Sequence, residues 1–391
     1  MKKALILTVL FLAGSVFAQA EKITGDWLLT SVVMNGETKD VYNTFSFAKD
    51  GNMVTMGIPF GTWKYDSKAN AVIAASKFGK GFSGKMEVAK LSDSELVLKK
   101  DNVVYNFQRL DKKKIEKENG GSQLSGLWQY DYDGLHTYLK FGLPDTFTSV
   151  TTGDGSVETI NGSWLFLPED NDLVISAIST PFRGKNKIKE ISADKVVIVT
   201  KDGEVVATKV KKSSDVDSLA FTEDDLPEEG DVSKLPWQDF GLMIEKLSPV
   251  KYLKYRSGKL LPKVNCFEYS GIIKKIKVNR EKPSVVFSNS TIVGTDTSQY
   301  SQKIKGNLQN SYNLFFPMDE YYRFRIAGHE KVKVPAGEFQ CTVVEAADGD
   351  DKYKLWMIDD LPGVYAKIIN VSELPFGKSE YSVQELEEIK K

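Results

Sequence analysis

One short phrase recurs along the chain at nearly constant spacing. Gly25-Asp26-Trp27 is matched by Gly126-Leu127-Trp128, and Gly61-Thr62-Trp63 by Gly162-Ser163-Trp164, each 101 residues on. Further along, "GKMEVAKLSDSELVL" from Gly84 is matched by "GKNKIKEISADKVVI" from Gly184, 100 residues on. Two Gly-x-Trp pairs and a strand-like run in one register identify a duplicated domain, which holds four of the six tryptophans. Whatever the fold, a unit of roughly 90 residues must form twice.

Within each copy the local signals are strands. Runs such as Phe45-Ser46-Phe47, Leu96-Val97-Leu98 and "VVYNF" from Val103 are short, alternating and rich in aromatic and β-branched residues. Turn chemistry separates them: "KDG" at Lys49 to Gly51 and again at Lys201 to Gly203 predicts tight type I′ hairpins. Many short antiparallel strands with no long amphipathic helix predict a small up-and-down barrel or sandwich.

The order "ITGDW", an aromatic strand ending in "KDG", "GTWKYD", "KLSDSELVLK" and "YNFQRL" resembles the lipocalin-like domains of bacterial secreted and envelope proteins. The resemblance covers residues 22–112 and, more loosely, 123–212. It implies a barrel whose first strand opens with Gly-x-Trp, the ring closing one end. Trp27, Trp63, Trp128 and Trp164 are then structural barrel-end residues, glycine allowing close backbone approach and tryptophan filling the end. The resemblance also implies a cavity for an apolar molecule, since about eight strands can enclose one; strands this short can equally close over a solid core.

From about Pro236 the pattern changes. A helical candidate, "WQDFGLMIEKL", precedes longer strands such as "EYSGIIKKIKV", "YRFRIAGHEKVKV" and "EFQCTVVEA". These predict an antiparallel sheet, with Lys274, Lys275 and Lys277 on its wet face. "GHEKVKVPAGEFQCTVVEA" followed by "KLWMIDDLPGVYAKII" resembles bacterial periplasmic domains of unknown function, in which a Val-Pro-Ala-Gly turn joins two strands. Those domains resemble in turn the half-barrels of periplasmic lipoprotein carriers. The fold class expected is mainly β: two small antiparallel barrels and a C-terminal half-barrel-like sheet with little helix.

The domain order read from the chain is a signal peptide at 1–20, barrels at 21–112 and 123–212, a charged flexible joint at 113–122, a solvated acidic linker at 213–235 and the third domain at 236–391. The leader rests on Lys2 and Lys3, the apolar run Ala4 to Phe17 and the small-x-small Ala18-Gln19-Ala20. It is too short to span a bilayer, for which roughly 20 residues are needed. No cysteine stands near the cleavage site to be acylated, so a free periplasmic or secreted protein is expected. The tail "SVQELEEIKK" reads as a charged helix.

A formal charge of -1 with intermixed signs leaves no electrostatic footprint for nucleic acid. Two histidines, His136 and His329, weigh against Ser-His-Asp chemistry and a histidine-rich zinc site. Asp239-Phe240-Gly241 lacks any nucleotide loop around it. The acidic cluster Glu223 to Asp231 matches no calcium loop. Asp348 to Asp351 reads as a polar hairpin tip, and Asp359 with Asp360 is the first carboxylate pair to test for glycoside hydrolysis. Cys266 and Cys341 are either one disulfide or two small buried thiols.

No metal or cofactor is expected. The leading expectation is a non-catalytic extracytoplasmic protein that binds an apolar or lipidic ligand. The alternatives are an envelope adaptor working through protein contacts, and a carboxylate hydrolase.

Overall fold

The computed structural model describes residues 19–78, 81–153, 156–210, 218–227, 240–279, 284–293, 296–305, 322–374 and 378–391. The apolar leader, most of the acidic linker and Asp239 lie outside them. The chain divides into two units, Met1–Lys211 and Lys212–Lys391.

The first unit holds two closed antiparallel barrels of eight strands each. Barrel one runs β1 (Gly25–Met34), β2 (Glu37–Phe47), β3 (Asn52–Thr55), β4 (Ile58–Asp66), β5 (Ala71–Ser76), β6 (Gly84–Leu91), β7 (Glu95–Lys100) and β8 (Val103–Arg109). Barrel two repeats this with β9 (Gly126–Tyr132), β10 (Leu135–Gly142), β11 (Thr146–Gly153), β12 (Ser156–Leu167), β13 (Asp172–Ala177), β14 (Gly184–Ile191), β15 (Lys195–Thr200) and β16 (Gly203–Val210). In each, the last strand pairs with the first and closes the sheet.

The repeated phrase has a steric and a hydrogen-bonding cause. A Cβ at Gly61 would stand 2.0 Å from the Ala75 carbonyl oxygen, and one at Gly162 2.3 Å from that of Ser176, so adjacent strands approach there as only glycine allows. Trp27 and Trp128 are fully buried, and their indoles donate to the carbonyls of Ile23 (2.8 Å) and Leu124 (2.7 Å), which fold the approach segment against the barrel end. Arg109 and Lys209 lie over the two rings at 4.0 and 4.2 Å. Trp63 and Trp164 donate back to Ala48 and Gly142, at the start of the β2–β3 and β10–β11 turns. The two copies thus share bonds as well as letters.

Turn geometry departs from expectation. At the Lys-Asp-Gly sites only the glycines take positive φ, 83° at Gly51 and 134° at Gly203, so neither is type I′. The Asp50 carboxylate accepts from the Asn52 amide, a local bond that holds the turn in another form. Type I′ dihedrals appear instead at Asn35-Gly36 and Asp133-Gly134, equivalent positions in the two barrels.

The flexible joint expected at 113–122 is instead helix α1 (Lys112–Gly121). Asp111 caps it through the amides of Lys113 and Lys114. The buried Asn119 then docks it on barrel two, donating to Pro144 O and Trp164 O and accepting from Phe166 N. Leu28, Leu165 and Val174, with Tyr42 and Ile115 against them, form a small apolar core where barrels and helix meet.

The second unit is a nine-stranded antiparallel sheet that does not close, in the order β20-β19-β18-β17-β25-β24-β23-β22-β21. Its strands are β17 (Tyr252–Leu261), β18 (Cys266–Asn279), β19 (Ser284–Val293), β20 (Asp296–Lys305), β21 (Arg323–Val334), β22 (Gly337–Asp348), β23 (Asp351–Ile358), β24 (Tyr365–Leu374) and β25 (Lys378–Lys390). The helical candidate forms α2 (Phe240–Leu247).

Two expectations fail here. The tail is no helix: it is β25, paired on both sides, and two ladders of backbone bonds outweigh the helix propensity of its Glu, Leu and Lys. The acidic linker is not wholly solvated either. Leu219, Phe221 and Leu226 are buried in the core of this unit, and Glu223 pairs with Arg323 at 3.1 Å.

Gly162→Ala is expected to destabilise the first unit by about 2 kcal/mol or more, because its Cβ meets backbone that cannot retreat. Gly120→Ala, with open space around it inside α1, is expected to be neutral or stabilising. Calorimetric melting of both variants checks the pair.

Candidate functional site

Side chains of the barrels fill their own interiors. In barrel one Phe45, Phe47, Phe60, Phe82, Phe107 and Trp63 contact one another with ring centroids 5.2–6.3 Å apart, mostly edge to face. Barrel two packs Trp128, Trp164, Phe141, Phe147 and Phe182 among aliphatic residues. Asn43 is a polar exception: it alternates with Phe45 on the inward face, and its Oδ1 is buried without a partner among the described residues.

Between the barrels lies a cleft of about 640 Å³. Barrel one contributes Met56 and Ile58, around the β3–β4 turn. Barrel two contributes Thr148, Ile160 and Asn161 from β11 and β12, and Ile178 beyond β13. Three hydroxyls join the barrels nearby: Thr44 Oγ1 lies 2.9 Å from Ser163 Oγ and 3.2 Å from Ser176 Oγ, and the Thr44 amide donates to Ser176 at 2.8 Å. The Thr44 carbonyl also accepts from Met56 N and Thr55 Oγ1, so one residue ties the turn at the cleft to the neighbouring barrel. The walls are therefore held by hydrogen bonds in both barrels, and they combine aliphatic side chains with hydroxyl and amide groups.

In the second unit the opposite faces of the sheet carry different chemistry. Directly paired residues share a face, which places Arg325, Glu345, Lys354, Trp356, Lys367, Glu385 and Arg256 in one row across six strands. The row has a near twofold pattern. Arg325 Nε donates to Glu345 at 2.9 Å, and Lys354 lies 3.6 Å from the other carboxylate oxygen; Arg256 Nε donates to Glu385 at 2.8 Å, and Lys367 lies 3.6 Å from its other oxygen. Both lysines also lie over the central Trp356 ring, whose indole donates to Glu330. The glutamates are only 10 % and 11 % exposed, so these are sequestered, mutually compensated charges. Each glutamate ties three strands in register.

On the opposite face Leu253, Tyr255, Ile276, Leu355, Met357 and Leu386 are buried. Lys274 belongs to this face, opposite Leu253, and not to the wet face with the exposed Lys275 and Lys277. Strand parity dictates this, since Lys274 alternates in step with Ile276. Its ammonium lies 5.0 Å from the Tyr255 ring centre, and desolvation pulls its pKa down to about 8.

The remaining candidates are accounted for by local geometry. His136 pairs with Asp131 at 2.7 Å at the exposed start of β10. Thr342 Oγ1 donates to Asp359 at 2.7 Å, so its proton faces the carboxylate and not the His329 ring 3.3 Å away, the reverse of an activated nucleophile. Asp359 and Asp360 occupy the turn after β23, and Asp348 and Asp351 pair across the β22–β23 hairpin tip. Cys266 and Cys341 are free and buried, on strands β18 and β22 with four others between them. At about 4.8 Å per strand they lie about 24 Å apart along the sheet, against a bridging limit of about 7 Å. Burial pushes both thiols up to about 12.

No family model matches the chain, and no curated protein matches it. Among solved structures, the DNA polymerase III beta chain of Streptococcus pneumoniae aligns at 8 % identity over 96 % of this chain and 97 % of its own, with a TM-score of 0.16. A protein of unknown function from the DUF3598 family of Nostoc punctiforme aligns at 12 % over 68 % of this chain and 96 % of its own, with a TM-score of 0.14. Similarity at that level carries no argument about this chain.

Two outcomes are expected. Glu385→Ala strands Arg256 and Lys367 and should destabilise the second unit by about 3–5 kcal/mol, while Glu387→Ala, which breaks the half-exposed pair with Lys254, should cost under about 1 kcal/mol; chemical denaturation of both variants measures the contrast. Ellman's reagent at pH 8 should find both thiols unreactive in the folded protein and two equivalents after unfolding without reductant.

Proposed function

We propose that the chain is an exported, non-catalytic binding protein whose lipocalin-like barrels take a partly apolar ligand in the cleft between them. The observation that carries this reading is that cleft, of about 640 Å³ and lined by both barrels, beside interiors already occupied by aromatic side chains. Its volume lies in the range of small-ligand sites, roughly 300–1,000 Å³. Met56, Ile58, Ile160 and Ile178 offer apolar contact, and Thr148 and Asn161 orient a polar group. The leader at 1–20 supports export to the periplasm or beyond. On this reading the C-terminal sheet is a relative of the half-barrel of lipoprotein carriers.

A second reading, an envelope adaptor, is favoured by apolar side chains left open on barrel two. Val157 and Ile178 are 61 % and 44 % exposed, and Tyr132 is 74 % exposed. Here the occupant of the cleft is a polypeptide.

Titration of the full chain with the neutral probe N-phenyl-1-naphthylamine tests the first reading, together with native mass spectrometry of protein purified without detergent. Ile178→Asp, at an exposed position that leaves the fold intact, should weaken probe binding about tenfold and release any co-purifying small molecule. Binding unchanged in that variant overturns the cleft as the ligand site, and a cleft that takes peptides but no small molecule supports the adaptor.

A further inference from the structure

The two barrels differ along one strand edge. In barrel one the chain leaving β5 stays beside β4, and Lys77 N donates to Phe60 O at 2.8 Å. The positions 101 residues on are Ile178 and Asn161. Among the described residues no such bond joins them: the β12–β13 ladder ends at Gly162 and Ala177, and Ser179 takes a left-handed φ of 58°. The β11–β12 hairpin is also longer, 8 and 12 residues against 4 and 9 for β3 and β4. From Asn161 back to Ser156, β12 is therefore paired with β11 on one side and with no described strand on the other.

Strand parity gives the direction of the backbone groups on that stretch. Trp164 N donates to Asp145 O, on the β11 side, and the β11–β12 ladder has no register shift. Gly162, Ile160 and Glu158 thus turn their N–H and C=O groups toward β11, while Val157, Thr159 and Asn161, all exposed, turn theirs to the open edge. Proteins usually guard such an edge with lysine, proline or a bulge. β21, at one edge of the second unit's sheet, carries Lys331, Lys333 and a bulge between Ile326 and Gly328. Val157 to Asn161 carry none of these.

The cleft between the barrels lies where β13 would continue. Glu158 to Asn161 line it, together with Ile178 and Ser179 beyond the end of β13 and the β3–β4 turn of barrel one. An extended strand fills about 160 Å³ per residue at the usual rise, strand spacing and sheet spacing, so the cleft seats about four residues, the length of edge that lines it. Glu158 is the charged member of that lining and enters no ion pair among the described residues.

We infer that an extended segment of a partner polypeptide docks here by adding a strand to the open edge of β12, with a lysine or arginine opposite Glu158 and an aliphatic residue two positions away, opposite Ile160. Backbone bonds to Val157, Thr159 and Asn161 supply affinity, and the alternate side chains supply selectivity. Residues paired across strands share a face, so the cation meets the carboxylate and the aliphatic side chain meets Ile160. A space of this volume seats a single strand and not a folded domain. The inference rests on the adaptor reading of the cleft and gives that reading its mode of contact.

The test uses the full chain and a phage-displayed library of random heptapeptides. Peptides retained by wild type should carry lysine or arginine with an aliphatic residue two positions away. A retained peptide, synthesised and labelled, should lose at least about tenfold in affinity when a backbone amide facing the protein is N-methylated, and keep its affinity when the next amide along is methylated. Thr159→Pro deletes a donor aimed at the open edge and no bond to β11, so it should leave the circular dichroism spectrum unchanged and weaken the peptide by a similar factor. Glu158→Gln should remove the preference for lysine over norleucine in that peptide. A library from which wild type retains nothing overturns the adaptor reading and this site with it. Peptides that bind wild type and folded Thr159→Pro alike, or that show no alternation on methylation, overturn strand addition alone; should Thr159→Pro fold poorly, the methylation series supplies the same readout from the peptide side.

Discussion

A buried indole N–H has to find an acceptor, and in both barrels that requirement organises the chain around it. Leaving one unpaired in an apolar interior costs about 1–3 kcal/mol. Trp27 and Trp128 meet it by drawing down the carbonyl four residues upstream, which folds the approach segment onto the barrel end and buries Ile23 and Leu124 with it. Trp63 and Trp164 meet it at the start of a hairpin turn, so turn and strand are held together. The glycine two residues earlier is part of the same device at Gly61 and Gly162, where the neighbouring strand comes too close for any side chain. Duplication preserved a geometry, and the recurring letters are its trace.

Filling the barrels in this way moves the opportunity for function outward. An aromatic core packed edge to face leaves a ligand no interior, but it makes each barrel a rigid body. Rigid bodies joined by a capped helix, a buried asparagine and three hydroxyls hold a cleft between them at fixed width. Asn119 is central to that joint, because it bonds two carbonyls and an amide of barrel two from a helix that begins at the end of barrel one.

Much of the architecture was legible in the sequence, because strand alternation and the repeat are local signals. The joint was not. Its residues are charged and end in Gly-Gly-Ser, and what makes "KKKIEKENGG" a helix is the cap at Asp111 and the tertiary docking of Asn119. The terminal strand was hidden for a related reason: "QELEEIK" has helical composition, and only pairing with β17 and β24 overrides it. Turn types were misplaced because Asp-Gly accommodates several turns, and the Asp50 side chain chooses among them by bonding Asn52. Lys274 is different, since its face could have been found. In "GIIKKIKV" the lysine two residues before Ile276 must share its face, but a triplet of lysines invites the reading that all of them are wet.

The open sheet of the second unit shows how far one scaffold can separate the uses of charge. On one face two Arg-Glu-Lys sets flank a tryptophan, each carboxylate satisfied on both sides, so that charge is spent on strand register. On the other face a lysine lies among apolar residues with an aromatic ring for company, and a ring offers an ammonium much less than a carboxylate does in a desolvated setting.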